Sequence, residues 1–333
     1  MNGRSLALLI VTAICVIAGG AYVAVAALTS DGTTSDARPR VVVDVRGAAA
    51  VPANSELLVR AVDYDNPRLN GRLFTTRLAT GAEPQPAGEL ACERVYANAA
   101  GIGLCLAAKR HGFDYEGIVF GPGYEPRARF AVPGVPDRAR VSPDGRYGAF
   151  TDFLSGHTYS QGVREFSTHT AIVDMRAGKP LFDLAELDVT RDGERFERAD
   201  SNFWGVTFAG GDRFYATLGA GGKHYLIAGD VGTRRARIVR EHVECPSLSP
   251  DGTRIAYKRR IGNQDRWRLH VLDLRSGRDV ALAERRTIDD QPEWLDDDHV
   301  VYSNDRHVFV VPADGGGTPH RVVGRASSPV SLR

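Results

Sequence analysis

Ser5 to Leu28 runs for 24 positions without a charged residue, and beyond it the chain breaks into short apolar runs set between polar turns. The first pattern is long enough to cross a bilayer as a helix. The second reads as strands, since short runs of β-formers bounded by Gly, Pro and Asp are the signature of a strand and its turns. No long amphipathic helix pattern interrupts these runs.

The strand pattern repeats. Ser142, Pro143, Asp144 and Gly145 open the stretch SPDGRYGAFTDF, and Ser249, Pro250, Asp251 and Gly252 open SPDGTRIAYKRR. Pro pre-sets φ at the first turn position, Asp suits the next, and Gly supplies a left-handed residue that closes a hairpin. Weaker copies lie at Phe208 to Asp212, Leu295 to Asp298 and Tyr96 to Gly101, each leading into a run of β-formers. The turns then start near 96, 142, 208, 249 and 295, so the spacings are 46, 66, 41 and 46 residues. Four-stranded propeller blades repeat every ~40–50 residues. The long interval carries about twenty inserted residues by that measure, from Leu154 to Ser167 or from Asp188 to Asp200.

Further along each unit a third strand is expected. Trp267 to Leu274, Thr170 to Met175, His307 to Val311 and Gly71 to Gly81 all fit, each running into or ending at a Gly-containing turn. The Gly71 segment has no first strand upstream. Ser327 to Leu332, at the opposite end of the chain, is the expected substitute, because a closed ring leaves no open sheet edge. The prediction is an all-β, six-bladed β-propeller over residues 41–333, and the 66-residue interval leaves room for a seventh blade.

With these motifs in view, the chain resembles the TolB-type propeller repeat, through the SPDG turn, the strand after it and the later segment VLDLRSG. The likeness spans most of Arg60 to Leu332, with two close units. It implies a non-enzymatic periplasmic scaffold that binds envelope partners. The same repeat occurs in propellers of prolyl-oligopeptidase-like enzymes, so it speaks to fold more than to activity. Only Thr29 to Val59 separate the apolar run from the repeats, which leaves no room for the amino-terminal domain of that family. The partner is therefore not carried over.

Arg4 precedes the apolar run, and Asp31, Asp36, Arg38 and Arg40 follow it. The expected arrangement is a single-pass anchor over residues 1–28, a tether over residues 29–40 and an extracytoplasmic propeller. The alternative is a signal segment cleaved near Ala26, after the small residues Ala24 and Ala26. Signal cores of roughly 7–15 apolar residues are the norm, so this longer run favours an anchor.

Charge narrows the field further. With 42 Lys and Arg against 41 Asp and Glu, no basic excess points to nucleic acid. Of four cysteines, Cys15 lies in the apolar run. Cys92 and Cys105 fall on the expected first and second strands of one blade, and an oxidising compartment would let them bond. Cys245 is left over and reads as a small buried hydrophobe.

The chain has no Gly-x-Ser-x-Gly elbow, no His-Glu-x-x-His and no Cys-x-x-Cys, so the usual hydrolase and zinc signatures are missing. Gly219 to Gly222 and Gly315 to Gly317 precede no helix pattern and read as turns. His157, His169, His224 and His299 are scattered over several units and are expected to be exposed or structurally satisfied; Trp294 is expected in the core, and Trp204 and Trp267 in the core or on a blade face. Asp296 to Asp298 reads as a solvated turn rather than a calcium site. Asp63-Tyr64-Asp65 could present an aromatic face to a partner.

No catalytic, cofactor or metal residues are assigned. The expected function is a non-enzymatic, envelope-associated scaffold for an envelope protein, with the longer loop Leu154 to Ser167 as its contact region. The alternative is a ligand- or metal-binding receptor, or a hydrolase, with its site in the central channel.

Overall fold

The computed structural model describes residues 41–45, 51–52, 55–109, 114–156, 166–262 and 266–332. The expected anchor and tether, and Cys15 with them, lie outside the described residues. Six sheets, antiparallel but for one added strand of blade 4, stand round a common axis, their first strands packed against one another.

Blade 1 takes its innermost strand from the far end of the chain. Ala326–Ser331 pairs with Glu56–Ala61, which pairs with Arg72–Arg77 and then Gln85–Ala91. The pairing sets Leu57 opposite Ser331 and Ala61 opposite Ala326. Ring closure by the carboxy-terminal segment is thus as the sequence implied. A second stitch was not legible: Val42–Val43 adds a fifth strand to the outside of blade 6, against His320–Gly324.

Blades 2, 3 and 5 have four strands each, with inner strands Arg94–Ala97, Val135–Val141 and Glu244–Leu248. Blade 6 begins with the two-residue strand Glu293–Trp294. Blade 4 runs from Asn202–Phe208 to Arg235–Glu241 and carries an extra hairpin, Asp188–Arg191 and Glu194–Arg195. The first strand of this hairpin lies parallel to Arg235–Glu241. The 66-residue interval therefore holds an addition to blade 4 and, among the described residues, no seventh blade, and of the two candidate insertions Asp188 to Asp200 supplies part of it. Most of the other, residues 157–165, lies outside the described residues.

Second strands are buried on both faces because each blade is covered by its two neighbours. Glu56–Ala61 is buried at five consecutive positions, whereas outer Pro126–Val132 is largely exposed. The core accordingly sits in the seams between blades. Leu104, Leu106 and Val119 of blade 2 meet Phe150, Ala171 and Val173 of blade 3, and comparable clusters fill the other five seams. Trp204, Trp267 and Trp294 are all fully buried.

Cys92 and Cys105 form a disulfide, with Cα atoms 5.5 Å apart. Cys105 is on the second strand of blade 2 as expected. Cys92 is not on the first strand but just ahead of it, in the link from blade 1, so the bond fastens the blade 1–2 junction. Closing a loop of 13 residues is worth about 3 kcal/mol on the chain-entropy account. Replacing both cysteines by Ala should lower unfolding free energy by that order in a non-reducing denaturant titration. An unchanged midpoint would contradict this role.

Candidate functional site

A propeller of antiparallel blades has two unlike faces. The turn between first and second strands of each blade lies on one face. The loops between second and third strands, and the links from blade to blade, lie on the other.

On the turn face the two exact repeats fold identically. In each, the Ser hydroxyl donates to the Asp two residues on, at 2.6 Å for Ser142 and 2.5 Å for Ser249. That hydroxyl also accepts the backbone N–H five residues on, from Tyr147 and Arg254, at 2.9 Å in both. Gly145 and Gly252 take φ of 70° and 71°, the left-handed region that glycine enters at little cost. Burial favours the neutral form of Asp251, but bonds from Ser249 and Thr253 prevail and hold its carboxyl down to about 2. The turns also fasten neighbouring blades. Asn98 donates to the carbonyls of Ser142 and Pro143, Tyr147 donates to Asp212 at 2.9 Å, and Asp251 N–H donates to Asp297 at 3.2 Å.

The channel and its loop-face end gather the buried charge. Arg140 of blade 3 and Glu293 of blade 6 pair across the axis, both almost wholly buried. Arg140 also donates to the Pro292 carbonyl at 2.8 Å and to Ser247 at 3.2 Å, and stacks 4.5 Å from the Tyr96 ring centre. Arg138 holds Asp137 at 2.7 Å and donates to the Asp289 carbonyl at 2.6 Å. Lys258, fully buried, reaches Asp289 at 2.6 Å and lies over the Trp267 ring.

Three inner strands bulge beside this network. Their left-handed residues are Gly205, Cys245 and Ser328, with φ of 64°, 49° and 48°, and strand register slips at each. A Cβ on Gly205 would stand 2.7 Å from Cys245 Cα, so only glycine lets these two bulges approach. The Gln291 amide donates to the carbonyls that follow both, Pro246 at 2.9 Å and Val206 at 3.3 Å. Beside Arg94, Arg138 and Gln291 lies one small cavity of about 30 Å³.

No family model matches the sequence, and no curated protein matches it either. Solved structures do match. TolB from Acinetobacter baumannii superposes with a TM-score of 0.59 at 14% identity, over 86% of this chain and 69% of that one. The chain shares the β-propeller fold of that structure. A putative TolB from Agrobacterium tumefaciens aligns over 81% of this chain and 88% of its own, with 13% identity and a TM-score of 0.46. A chain of the nidogen/laminin complex reaches 0.54 at 11% identity, over 84% of this chain and 98% of its own. Likeness at this level establishes the fold, and the fold hosts unrelated activities.

In this propeller the described histidines do not converge. His224 meets buried Glu244 at 3.1 Å between blades 4 and 5, and His299 meets Asp296 at 2.9 Å in the blade 6 turn. Burial alone would raise Glu244, but His224, Lys258 and Arg260 pull its carboxyl down to about 2. His169 bonds fully buried Asp152 at 2.8 Å. Burial opposes the charged form of His169, yet Asp152 and then Asp183 outweigh it and raise the imidazole above its ordinary value. His157 lies outside the described residues.

Cys245 is buried and unbonded, and burial pushes its thiol up. Gly221, Gly222 and the stretch Gly315 to Gly317 lie in strand-connecting turns, while Gly219 is on the strand before the first of them. Tyr64 is 70% exposed on the loop face, while neighbouring Asp63 is buried against Arg325. Among the described residues no three His, Cys, Asp or Glu side chains stand close enough to share a metal ion. The channel network is what sequence reasoning missed. Its members are scattered through the chain, and no local motif marks them.

Proposed function

We propose that the protein is a non-enzymatic, envelope-associated scaffold that binds a protein partner through its propeller, held at the membrane by Ser5 to Leu28 with the propeller on the extracytoplasmic side. The observation that carries this reading is the filled channel. Its cations and carboxylates face one another, Gln291 bridges the bulges, and the cavity beside Arg94, Arg138 and Gln291 holds about 30 Å³. A substrate or small-ligand site commonly needs roughly 300 Å³ or more, so that cavity is too small for one. The Cys92–Cys105 bond supports an oxidising compartment, because such bonds rarely persist in the cytosol. The 24-residue uncharged run supports the anchor.

In-cell crosslinking of the full-length chain, with residues 1–40 alone as control, tests the scaffold. The expected result is a reproducible envelope protein captured by the full chain and absent from the control. Empty capture at good expression would overturn it.

A further inference from the structure

The fourth strand of blade 4, Arg235–Glu241, has two unlike faces. Side chains alternate along a strand, and Ala236 and Ile238 turn into the apolar seam with blade 3. Arg235 and Arg237 fall on the opposite face, toward blade 5, and both are exposed. The register shifts after Ile238 and returns Arg240 to that same side. There Arg240 donates to the Gly277 carbonyl at 3.1 Å and meets Asp279 at 3.5 Å. That contact sets the outer turn of blade 5, Leu274 to Arg278, beside the arginine face. The turn brings two more exposed arginines, Arg275 and Arg278.

The carboxylates of this stretch are already engaged. Asp230 accepts the Thr233 N–H and hydroxyl at 2.8 and 2.9 Å. Asp273 accepts the N–H groups of Arg275 and Ser276 at 3.0 and 2.7 Å. Asp279 holds Tyr257, Arg259 and His270 as well as Arg240. Asp188, in register with Arg235 on the added strand, meets Arg195. The ion pairs at these two edges are made by Arg234 with Glu186 and by Arg240 and Arg259 with Asp279. Arg235, Arg237, Arg275 and Arg278 join none of them among the described residues. The matching turns of blades 6 and 1, residues 313–319 and 79–84, carry Asp314 and Glu83 and no cation. The positive charge is thus local, in a chain of net charge +1.

Four exposed guanidiniums without carboxylates repel one another, and a guest that brings carboxylates relieves this. Each guanidinium fork matches a carboxylate with two parallel bonds. We propose that the outer edges of blades 4 and 5 bind a carboxylate-rich segment of a protein partner, its Asp and Glu side chains taking Arg235, Arg237, Arg275 and Arg278. The proposal rests on the scaffold reading and gives that reading a surface and a partner of stated charge. Lipid phosphates would suit the same forks, but the place favours a protein. Val42 joins the propeller opposite Gly324, at the loop-face end of blade 6. The turns that carry the arginines lie on the other face, away from where the described chain begins.

Fluorescent hexaglutamate titrated into the full-length chain, read by anisotropy, tests the surface. Replacing all four arginines by Gln should weaken hexaglutamate by about tenfold or more, the loss expected with charge-assisted bonds. Replacing them by Lys, which keeps the charge without the fork, should restore part of it. Arg68→Gln with Arg306→Gln, two exposed arginines of the loop face, should change affinity by no more than about twofold at physiological salt. Equal affinity in the four-Gln variant, or an equal loss in the loop-face variant, would overturn the proposal. So would displacement of hexaglutamate by soluble dihexanoyl-phosphatidylglycerol at lower concentration, which would assign the surface to lipid. The in-cell crosslinking experiment, repeated with the four-Gln variant, separates the two readings. Capture by the parent and undiminished capture by the variant would leave the scaffold standing and overturn this surface. A parent that captures nothing fails the scaffold, while hexaglutamate binding lost in the four-Gln variant would still uphold an acidic guest here.

Discussion

Ending the chain at Arg325 should abolish cooperative unfolding altogether, leaving no propeller that melts in a single transition. The segment removed is the innermost strand of blade 1, yet the losses fall on two blades. Ala326 and Val330 are fully buried, and so are Leu57, Leu58 and Val59 of the strand they cover. Ser331 donates to the Leu295 carbonyl of blade 6 at 3.2 Å, and Leu332 N–H donates to Glu56 at 3.0 Å. Each large apolar side chain returned to water costs about 1.5–3 kcal/mol, and a whole domain is commonly stable by only about 5–15 kcal/mol. Three or four such side chains come to about 5–12 kcal/mol, and with an opened inner sheet edge the loss is as large as that margin. Calorimetry of the truncated chain checks this, and a synthetic peptide of residues 326–332 supplied in excess should restore the transition by mass action. A truncated chain that still melts cooperatively within a few degrees of the parent would show that Val42–Val43 and the seam clusters close the ring unaided.

How much of this was readable in advance depends on the range of the interactions. Ser249 and Asp251 are two residues apart, and the bonds that make their turn are written into four consecutive side chains. The turns and the blade spacing were legible for that reason, and the carboxy-terminal closure was legible because the first unit lacked a first strand and a closed ring needs one. Cys92 and Cys105 are similarly local. The bulges are different, because Cys245 and Ser328 hold φ values that side-chain-bearing residues seldom adopt, and each is followed by proline. Nothing in either residue type announces a left-handed backbone; the neighbouring strands impose it. The channel was still less visible. Arg138, Arg140, Gln291 and Glu293 come from segments about 150 residues apart in sequence, and each reads singly as an ordinary surface charge or amide. Charge balance gave no warning either, since a network of matched pairs leaves net charge near zero. The hairpin beside blade 4 falls between these cases. The length anomaly located the inserted residues, but only the fold shows that they add strands to the outer edge of blade 4.

That contrast between local turns and a distant network makes Arg140 the most exacting test of the filled channel. Arg140→Met should lower stability by about 3–5 kcal/mol, the usual cost of stranding one member of a buried pair. Glu293 would keep Tyr96, whose hydroxyl reaches it at 3.4 Å, but would lose its cation. The Pro292 carbonyl and Ser247 would lose a donor as well. At roughly 2–4 °C per kcal/mol for a large domain, the melting temperature should fall by about 10 °C. Adding Glu293→Met should recover much of the loss, because two apolar side chains of similar bulk remove the stranded charge. Recovery should stop short of the parent, since Pro292 and Ser247 remain without their partner. A double-mutant cycle in denaturant reads the coupling directly. Additive losses would mean that the two charges are solvated in the folded state. The channel would then be open to water and guests, and the main support for the scaffold reading would be gone. Strong coupling instead identifies the axis as a rigid polar core, and leaves the loops and the rim to do the binding.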